Sequence, residues 1–157
     1  MKILFITATR IGDAVLSSGL IAHLAAEHPG VRFTVACGAP AAPLFEAIPG
    51  LDRLIVIKKK PFHSHWISLW AACAGKRWDR IYDLRGSMLA RFMRAGERHI
   101  GKYRDDNIHR VEELGRLIGV SPAPAPMLYL SDDAWEKAGA LVPSGKPVLA
   151  IGPTANW

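Results

Sequence analysis

The sequence contains little that would form disulfides, hold a metal ion or cross a membrane. Its two cysteines, Cys37 and Cys73, are far apart and match no metal-binding spacing, so we expect reduced, buried thiols. The pair His63 and His65 lacks a third ligand at useful spacing, and we expect no metal site. Charged residues interrupt the apolar start, which argues against a signal peptide, and no apolar run approaches the roughly 20 residues that span a bilayer. We therefore expect a soluble, cytoplasmic protein that uses no cofactor.

The length and composition are those of one globular domain. The chain has 157 residues, of which 50% are hydrophobic and 22% are charged. Its formal net charge is +6 and its sequence pI is about 9.6. This balance indicates an acidic partner, but it does not choose among nucleic acid, anionic lipid and a phosphorylated small molecule.

Short apolar runs alternate with segments of helical spacing along most of the chain. This order predicts an α/β fold with a Rossmann-like parallel sheet and helices on both faces. The predicted strands are residues 2–6, 31–36, 54–57, 79–84, 98–101 and 148–151. The predicted helices are 13–28, 41–47, 66–74, 87–93, 108–118 with a cap at 106 or 107, and a last one capped at 131–133. The proline-rich stretch 122–126 is the one linker-like segment, and residues 146–153 resemble the start of a further unit.

The first strand leads into a helix through a loop that contains Arg10, Gly12 and Asp13. Open α/β folds bind ligands at this edge of the sheet. Asp13 could be a catalytic base, or only a charge suited to the positive end of the helix. The loop lacks the further glycines of a dinucleotide-binding fingerprint, and no acidic residue ends the second strand, which disfavours a nicotinamide-dependent oxidoreductase.

Four stretches in order resemble glycosyltransferase family nine, the ADP-heptose:lipopolysaccharide heptosyltransferases. They are Met1-Lys2-Ile3-Leu4 through Arg10-Ile11-Gly12-Asp13-Ala14-Val15-Leu16, then Leu51-Asp52-Arg53-Leu54-Ile55-Val56-Ile57, then Trp78-Asp79-Arg80-Ile81-Tyr82-Asp83-Leu84-Arg85-Gly86-Ser87, and Ala150-Ile151-Gly152-Pro153-Thr154. The similarity covers the amino-terminal half of that family's two-domain GT-B architecture. It implies an acceptor-binding domain over 1–145 and, over 146–157, the first strand of a truncated nucleotide-sugar-binding domain.

The resemblance implies an inverting transfer of heptose from ADP-heptose to the phosphorylated inner core of lipopolysaccharide. Asp13 would be the general base, and Thr154 would lie at the donor site, which belongs mainly to the absent half. This chain alone would then be inactive. The reaction would take place in the cytoplasm, where a peripheral contact with the inner membrane is compatible with the acceptor, and no nucleic acid would be bound.

The same resemblance suggests a set of acceptor-binding residues. They are Arg10, Gly12, Lys58, Lys59, Lys60, Arg85, Gly86 and His109. For the lysines the alternative is a solvated strand end, and for His109 it is a helix cap or a surface position. Arg85 stands where the family usually has glutamine, and Ser87 is better explained as a helix cap than as a ligand.

Two further groups of residues have both a functional and a structural interpretation. The cations Arg91, Arg94, Arg98, Lys102 and Arg104 could face an anionic lipid surface or could simply be solvated. Trp66 and Trp70 could anchor a helix at a membrane interface, although packing in the core explains them as well. A different class of function is also open, a non-catalytic domain that binds an anionic glycolipid or a protein partner.

Overall fold

A computed structural model describes residues 1–58, 64–101, 107–142, 145 and 147–151. The sheet is parallel and has the strand order β3-β2-β1-β4-β5. The strands are β1 (Lys2–Ile6), β2 (Arg32–Gly38), β3 (Leu51–Ile57), β4 (Arg77–Asp83) and β5 (Arg94–Ile100). The predicted α/β class with a parallel sheet is confirmed.

The helices cover both faces of this sheet, as predicted. Helices α1 (Ile11–Glu27) and α3 (Arg110–Ile118) lie on one face and α2 (Ser64–Cys73) lies on the other, whereas α4 (Asp132–Leu141) buries no side chain. Alternate side chains of β1 point to opposite faces. Ile3 and Phe5 pack in the core layer that α1 and α3 cover, and Leu4 and Ile6 pack in the layer under α2. Because β1 is central, it is buried on both faces, which is why it appears in the sequence as an uninterrupted apolar run.

Both cysteines are free and buried, which confirms the expectation for them. Cys37 lies in β2, and burial raises the pKa of its thiol to about 11. Cys73 ends α2, and burial raises its pKa as well. Neither thiol is therefore readily ionised at neutral pH.

The strands β3 and β5 begin three and four residues earlier than predicted, and three other predicted segments have a different type of structure. Residues 41–47 form part of a 3₁₀ helix, Ala39–Phe45, because Pro43 within it has no N–H for an α-helical bond. Residues 87–93 form a shorter 3₁₀ helix, Met88–Phe92, since β5 starts at Arg94 and leaves no room for a longer one. Residues 148–151 are exposed and form no strand, because no described strand lies beside them to pair with.

Two helix ends test the predicted caps. The α3 cap is His109, whose Nδ1 accepts a hydrogen bond from the Val111 N–H, so the predicted cap at 106 or 107 is wrong. Gly119 ends α3 in the left-handed conformation, as expected. Ser131 caps α4 through the Ala134 N–H, also as expected.

The proline-rich segment is packed against the domain and is not a linker. A Cβ on Gly19 of α1 would lie 2.2 Å from the Ala125 carbonyl oxygen, so the segment crosses α1 in close contact. The Met127 N–H donates to the Ser18 hydroxyl at 3.0 Å. That hydroxyl in turn donates to the Val15 carbonyl. The absence of a side chain at Gly19 therefore makes room for a strap of chain more than a hundred residues away.

Replacing Gly19 with alanine should lower the free energy of unfolding by about 1–3 kcal/mol, because the new Cβ would overlap the Ala125 backbone. Gly139 of α4 is the matched control, since a Cβ there would meet nothing within 4 Å. Gly139→Ala should leave stability unchanged or raise it by up to about 1 kcal/mol. Urea denaturation compares the two variants with the parent chain. Equal midpoints for both variants would contradict the close packing at Gly19.

Candidate active site at the carboxyl edge of the sheet

The strand order places a topological switch between β1 and β4. From β1 the chain moves outward to β2 and β3, and it then returns to the other side of β1 to form β4 and β5. The loops after β1 and β4 therefore leave the sheet in different directions and open a crevice between them. In open α/β sheets ligands bind at this point.

The loop after β1 is fixed by buried hydroxyl groups. Thr7 is fully buried, and its N–H donates to the Ala36 carbonyl of β2 at 2.9 Å. Its hydroxyl lies 2.7 Å from that of Ser17, which is also buried. The Ser17 hydroxyl donates its one proton to the Ala14 carbonyl. It therefore accepts the hydrogen bond from the Thr7 hydroxyl. This chain of bonds joins the end of β1 to the first turns of α1.

Gly38, at the end of β2, lets the same loop approach closely. A Cβ at this position would lie 2.6 Å from the Thr9 carbonyl oxygen. The Gly38 N–H points toward the Ala8 carbonyl at 3.5 Å. A larger residue would push the loop away from β2 and would shift the start of α1.

Arg10, Gly12 and Asp13 lie together at the start of α1. Arg10 is exposed and occupies the N-cap position, where its side chain makes no capping bond. Asp13 lies in the first turn and is half-buried, and its carboxylate makes no hydrogen bond or ion pair with any described residue. A Cβ on Gly12 would meet nothing within 4 Å, so nothing in the described protein requires glycine there. The position is compatible with a helix-end charge and with a base.

The loop after β4 is organised by Asp83, which the sequence analysis did not select. Its carboxylate is fully buried and accepts hydrogen bonds from the Arg85 N–H at 3.0 Å, the Ser87 N–H at 2.8 Å and the Ser87 hydroxyl. Ser87 therefore serves Asp83 and does not cap the helix with its side chain. Burial, opposed by these bonds, raises the pKa of Asp83. An aspartate followed by glycine and serine at the end of a strand is a turn signal that could have identified it.

Arg85 and Gly86 form the exposed part of this loop. The Arg85 guanidinium lies 4.7 Å from the centre of the Trp66 ring, a cation–π arrangement. Partial burial lowers its pKa, opposed by the Asp83 carboxylate, but an arginine remains charged. Gly86 has φ 66°, a left-handed turn that favours glycine. The Leu84 N–H donates to the Ile6 carbonyl at 2.9 Å, which holds the loop beside β1.

The remaining predicted residues are less central. Lys58 follows β3 at the same edge and is exposed, but β3 is two strands from β1, roughly 10 Å away at normal sheet spacing. His109 is the exposed cap of α3 described above, so the structural interpretation of it is sufficient. Lys59, Lys60 and Thr154 lie outside the described residues.

A cleft of about 380 Å³ adjoins the β4 loop and was not expected from the sequence. It lies between the ends of β4 and β5 and helix α3. Arg110 within it is paired with Glu113, whereas Arg116 is exposed. Its lining residues are Leu84, Ile100, Gly101, Arg110, Glu113, Leu114, Arg116 and Leu117. This cleft therefore adds one exposed cation, Arg116, on the β5 side of the β4 loop.

The described residues contain neither a metal-binding cluster nor a membrane-spanning helix. No group of three His, Cys, Asp or Glu side chains within them is arranged to hold a metal ion. None of the helices in this part of the chain is both long and apolar enough to cross a membrane.

Replacing Asp83 with asparagine should lower the free energy of unfolding by about 1–3 kcal/mol at neutral pH, because an amide cannot accept from both the Arg85 N–H and the Ser87 groups. Asp79→Asn is the control, as its exposed carboxylate on the same strand accepts one bond, from the Lys2 N–H.

The titration of Asp83 also makes stability depend on pH. Burial raises the pKa of Asp83 in the folded state above its ordinary 3.8. The contribution of this titration to the free energy of unfolding is therefore fully present below pH 3.8, and it is lost as the pH rises through the folded-state pKa. As the pH is lowered from neutral to about 4, the free energy of unfolding of the parent chain should therefore increase relative to that of the Asp83→Asn variant, as measured by urea titrations. A pH-independent difference would contradict the raised pKa.

Three solved glycosyltransferase structures share this fold. A glycosyl transferase family 9 protein from Veillonella parvula has a TM-score of 0.66 and 17% identity over 83% of this chain and 44% of that chain. The E. coli heptosyltransferase WaaC with ADP has a TM-score of 0.60 and 14% identity, over 92% of this chain and 55% of its own. The E. coli ADP-heptose LPS heptosyltransferase II has a TM-score of 0.64 and 20% identity, over 94% and 53% respectively. No protein-family model and no curated protein matches the sequence.

The chain spans about half the length of these structures. At such low identities the similarity establishes the fold. The predicted resemblance is thus confirmed as structural: the chain has the Rossmann-like parallel α/β fold found in the amino-terminal domain of GT-B glycosyltransferases.

Proposed function

We propose that this domain is the acceptor-binding half of an inverting, heptosyltransferase-like glycosyltransferase. The observation that carries the proposal is the carboxylate of Asp13 at the topological switch, which pairs with no residue that the structure describes, on a fold shared with heptosyltransferases. The full reaction would move heptose from ADP-heptose to a phosphorylated inner-core sugar of lipopolysaccharide, at the cytoplasmic face of the inner membrane.

In the proposed reaction Asp13 acts as the general base. Its carboxylate takes the proton of an acceptor hydroxyl as that oxygen bonds to the anomeric carbon of the donor sugar. The bond between that carbon and the diphosphate oxygen breaks, and ADP leaves on the opposite face of the sugar. Configuration is inverted in one displacement, without a covalent intermediate on the enzyme.

The acceptor's phosphate groups would be bound by the cations of the same edge. Arg10 borders the crevice on one side, and Arg85 on the other is positioned by Asp83 and Trp66. Lys58, with Lys59 and Lys60 after it in the sequence, would contact a more distant part of an extended acceptor. Gly12 and Gly86 would allow a sugar to approach the backbone, since the space at Gly12 is open.

The donor would be bound mainly by a second domain of the kind that the longer matched structures contain. The division into residues 1–145 and 146–157, and the place of Thr154 at the donor site, stay predictions. The alternative, a non-catalytic domain for an anionic glycolipid or protein partner, would use the same cationic edge. The two proposals differ in the role of Asp13, because a non-catalytic binding domain does not need its carboxylate as a base.

The 157-residue chain alone should bind the phosphorylated acceptor but form no product from it and ADP-heptose, because the donor would lack its binding domain. Mass spectrometry detects product, and calorimetry measures acceptor binding. Arg85→Gln should weaken binding about tenfold, the loss of one charge-assisted contact. Arg32→Gln, at the opposite edge of the sheet and paired with Asp52, is the control and should not weaken it. Product formation by the chain alone would contradict the assignment of the donor site.

In the complete two-domain protein, Asp13→Asn should lower kcat by about 10² or more, the lower limit for loss of a general base. Asp132→Asn is the matched control, since Asp132 also lies in the first turn of a helix, α4. Both variants lose a similar helix-end interaction of about 0.3–1 kcal/mol, so their thermal stabilities should be alike. Kinetics with ADP-heptose and a core acceptor distinguish the roles. Full activity of the Asp13 variant would favour the non-catalytic binding domain.

A further inference from the structure

Helix α2 exposes apolar side chains that the fold does not use. The helix contains no charged residue. Leu69 and Cys73 pack into the core, whereas Ile67 is 68% exposed and Trp70 is 41% exposed. Of the two interpretations of Trp70, packing in the core therefore does not account for this side chain. A surface helix ordinarily presents polar residues on its outer face, so this apolar face indicates a partner.

The neighbouring 3₁₀ helix, Met88–Phe92, extends this apolar surface. Ile67, Trp70, Leu89 and Phe92 line one groove of about 310 Å³. Phe92 is 68% exposed and Met88 is 62% exposed. We call the exposed side chains Ile67, Trp70, Met88 and Phe92, together with the partly buried Leu89 between them, the apolar face.

A group of cations borders the apolar face at the amino-terminal edge of the sheet. Lys76, Arg77, Arg94 and Arg98 line a cleft of about 440 Å³ that begins where α2 ends and where the 3₁₀ helix leads into β5. Arg98 is not available to a partner, because it donates to the carbonyls of Ala90, Met93 and Ala95 and thereby fixes this connection.

Two cations of the border, and Arg91 of the adjacent 3₁₀ helix, are available to bind an anion. Arg77, Arg91 and Arg94 are exposed and make no ion pair with a described residue. Residues 64–95 contain six Lys or Arg against two Asp, one of which is the buried Asp83. Lys102 and Arg104 lie outside the described residues.

We infer that this surface docks on a bilayer that contains anionic lipid. Exposed Trp, Phe and Ile side chains beside a row of cations match the two components of interfacial binding, insertion of apolar groups and attraction of headgroup phosphates. Tryptophan favours the interface itself. A bilayer accepts apolar side chains without any polar group to pair with them, and the five side chains of the apolar face are of this kind.

The docking surface approaches the candidate active site only through the first turns of α2, since its cations lie at the amino-terminal edge of the sheet. Helix α2 follows β3 and precedes β4, so it runs antiparallel to the strands and begins at the carboxyl edge. There the Trp66 ring lies against Arg85 of the site. A lipid-linked acceptor would therefore reach the crevice from the adjacent membrane. That last step rests on the proposed function, whereas docking itself does not.

Flotation of the 157-residue chain with vesicles tests the inference. The chain should bind vesicles of phosphatidylcholine with about 30% phosphatidylglycerol, and should bind pure phosphatidylcholine at least about tenfold more weakly. The double variant Ile67→Ser and Phe92→Ser should lose about tenfold or more of the anionic binding. Trp135→Ser with Leu141→Ser is the matched control, since both side chains are exposed on α4, and it should bind as the parent does.

A second pair of variants tests the cations. Arg77→Gln with Arg94→Gln should weaken binding to the anionic vesicles and reduce its dependence on salt. Circular dichroism establishes that each variant is folded. Equal binding to both vesicles, no binding at all, or equal losses for the apolar-face and α4 variants would each overturn the inference. The assay contains no sugar substrate, so its failure would leave the transferase proposal standing.

Discussion

The buried carboxylate of Asp83 is the group on which the carboxyl edge of the sheet depends. A carboxylate taken out of water is costly unless its oxygens are hydrogen-bonded, and here three donors from Arg85 and Ser87 satisfy it. The backbone after it is therefore fixed in one tight turn, and the Leu84 N–H joins that turn to the end of β1. The backbone of Arg85 is consequently held in place by a buried carboxylate, while its guanidinium lies over the Trp66 ring. The contact between the Arg85 guanidinium and the Trp66 ring also joins this loop to α2.

The opposite side of the crevice, the loop after β1, is held in place by uncharged groups. The Thr7 and Ser17 hydroxyls join the loop after β1 to α1, and Gly38 admits that loop against β2. Neither set of bonds includes Arg10, Gly12 or Asp13. The two sides of the crevice are thus built by separate local interactions on one shared sheet, and the Arg10 and Asp13 side chains make no bond to a described residue. This separation is what a binding site requires, because its functional groups must not be used to hold the fold together.

The sequence predicts well whatever is determined by local pattern. The apolar run at β1, the spacing in α1 and the Ser131 cap depend on neighbouring residues, and each was located correctly. The role of Asp83 was missed because its burial depends on β1 and β5 beside it. The packing of the proline-rich segment was missed for a related reason, since its partners Ser18 and Gly19 are about a hundred residues away. The positions of Arg10 and Asp13 at one edge follow from the parallel topology, whereas their roles follow only from the resemblance and stay proposals.

Among the residues that the structure describes, Asp13 has no partner, which distinguishes it from several other carboxylates of the domain. Glu113 is paired with Arg110, Glu97 with Arg80, and Asp83 with its own loop. Asp13 has Arg10 three residues before it and still makes no bond to a described residue. A carboxylate that accepted from a guanidinium would have those lone pairs occupied, and it could not direct them at an acceptor hydroxyl. Anion binding and proton transfer would therefore be assigned to different side chains, with the arginines holding the acceptor's phosphates and Asp13 left open toward the hydroxyl.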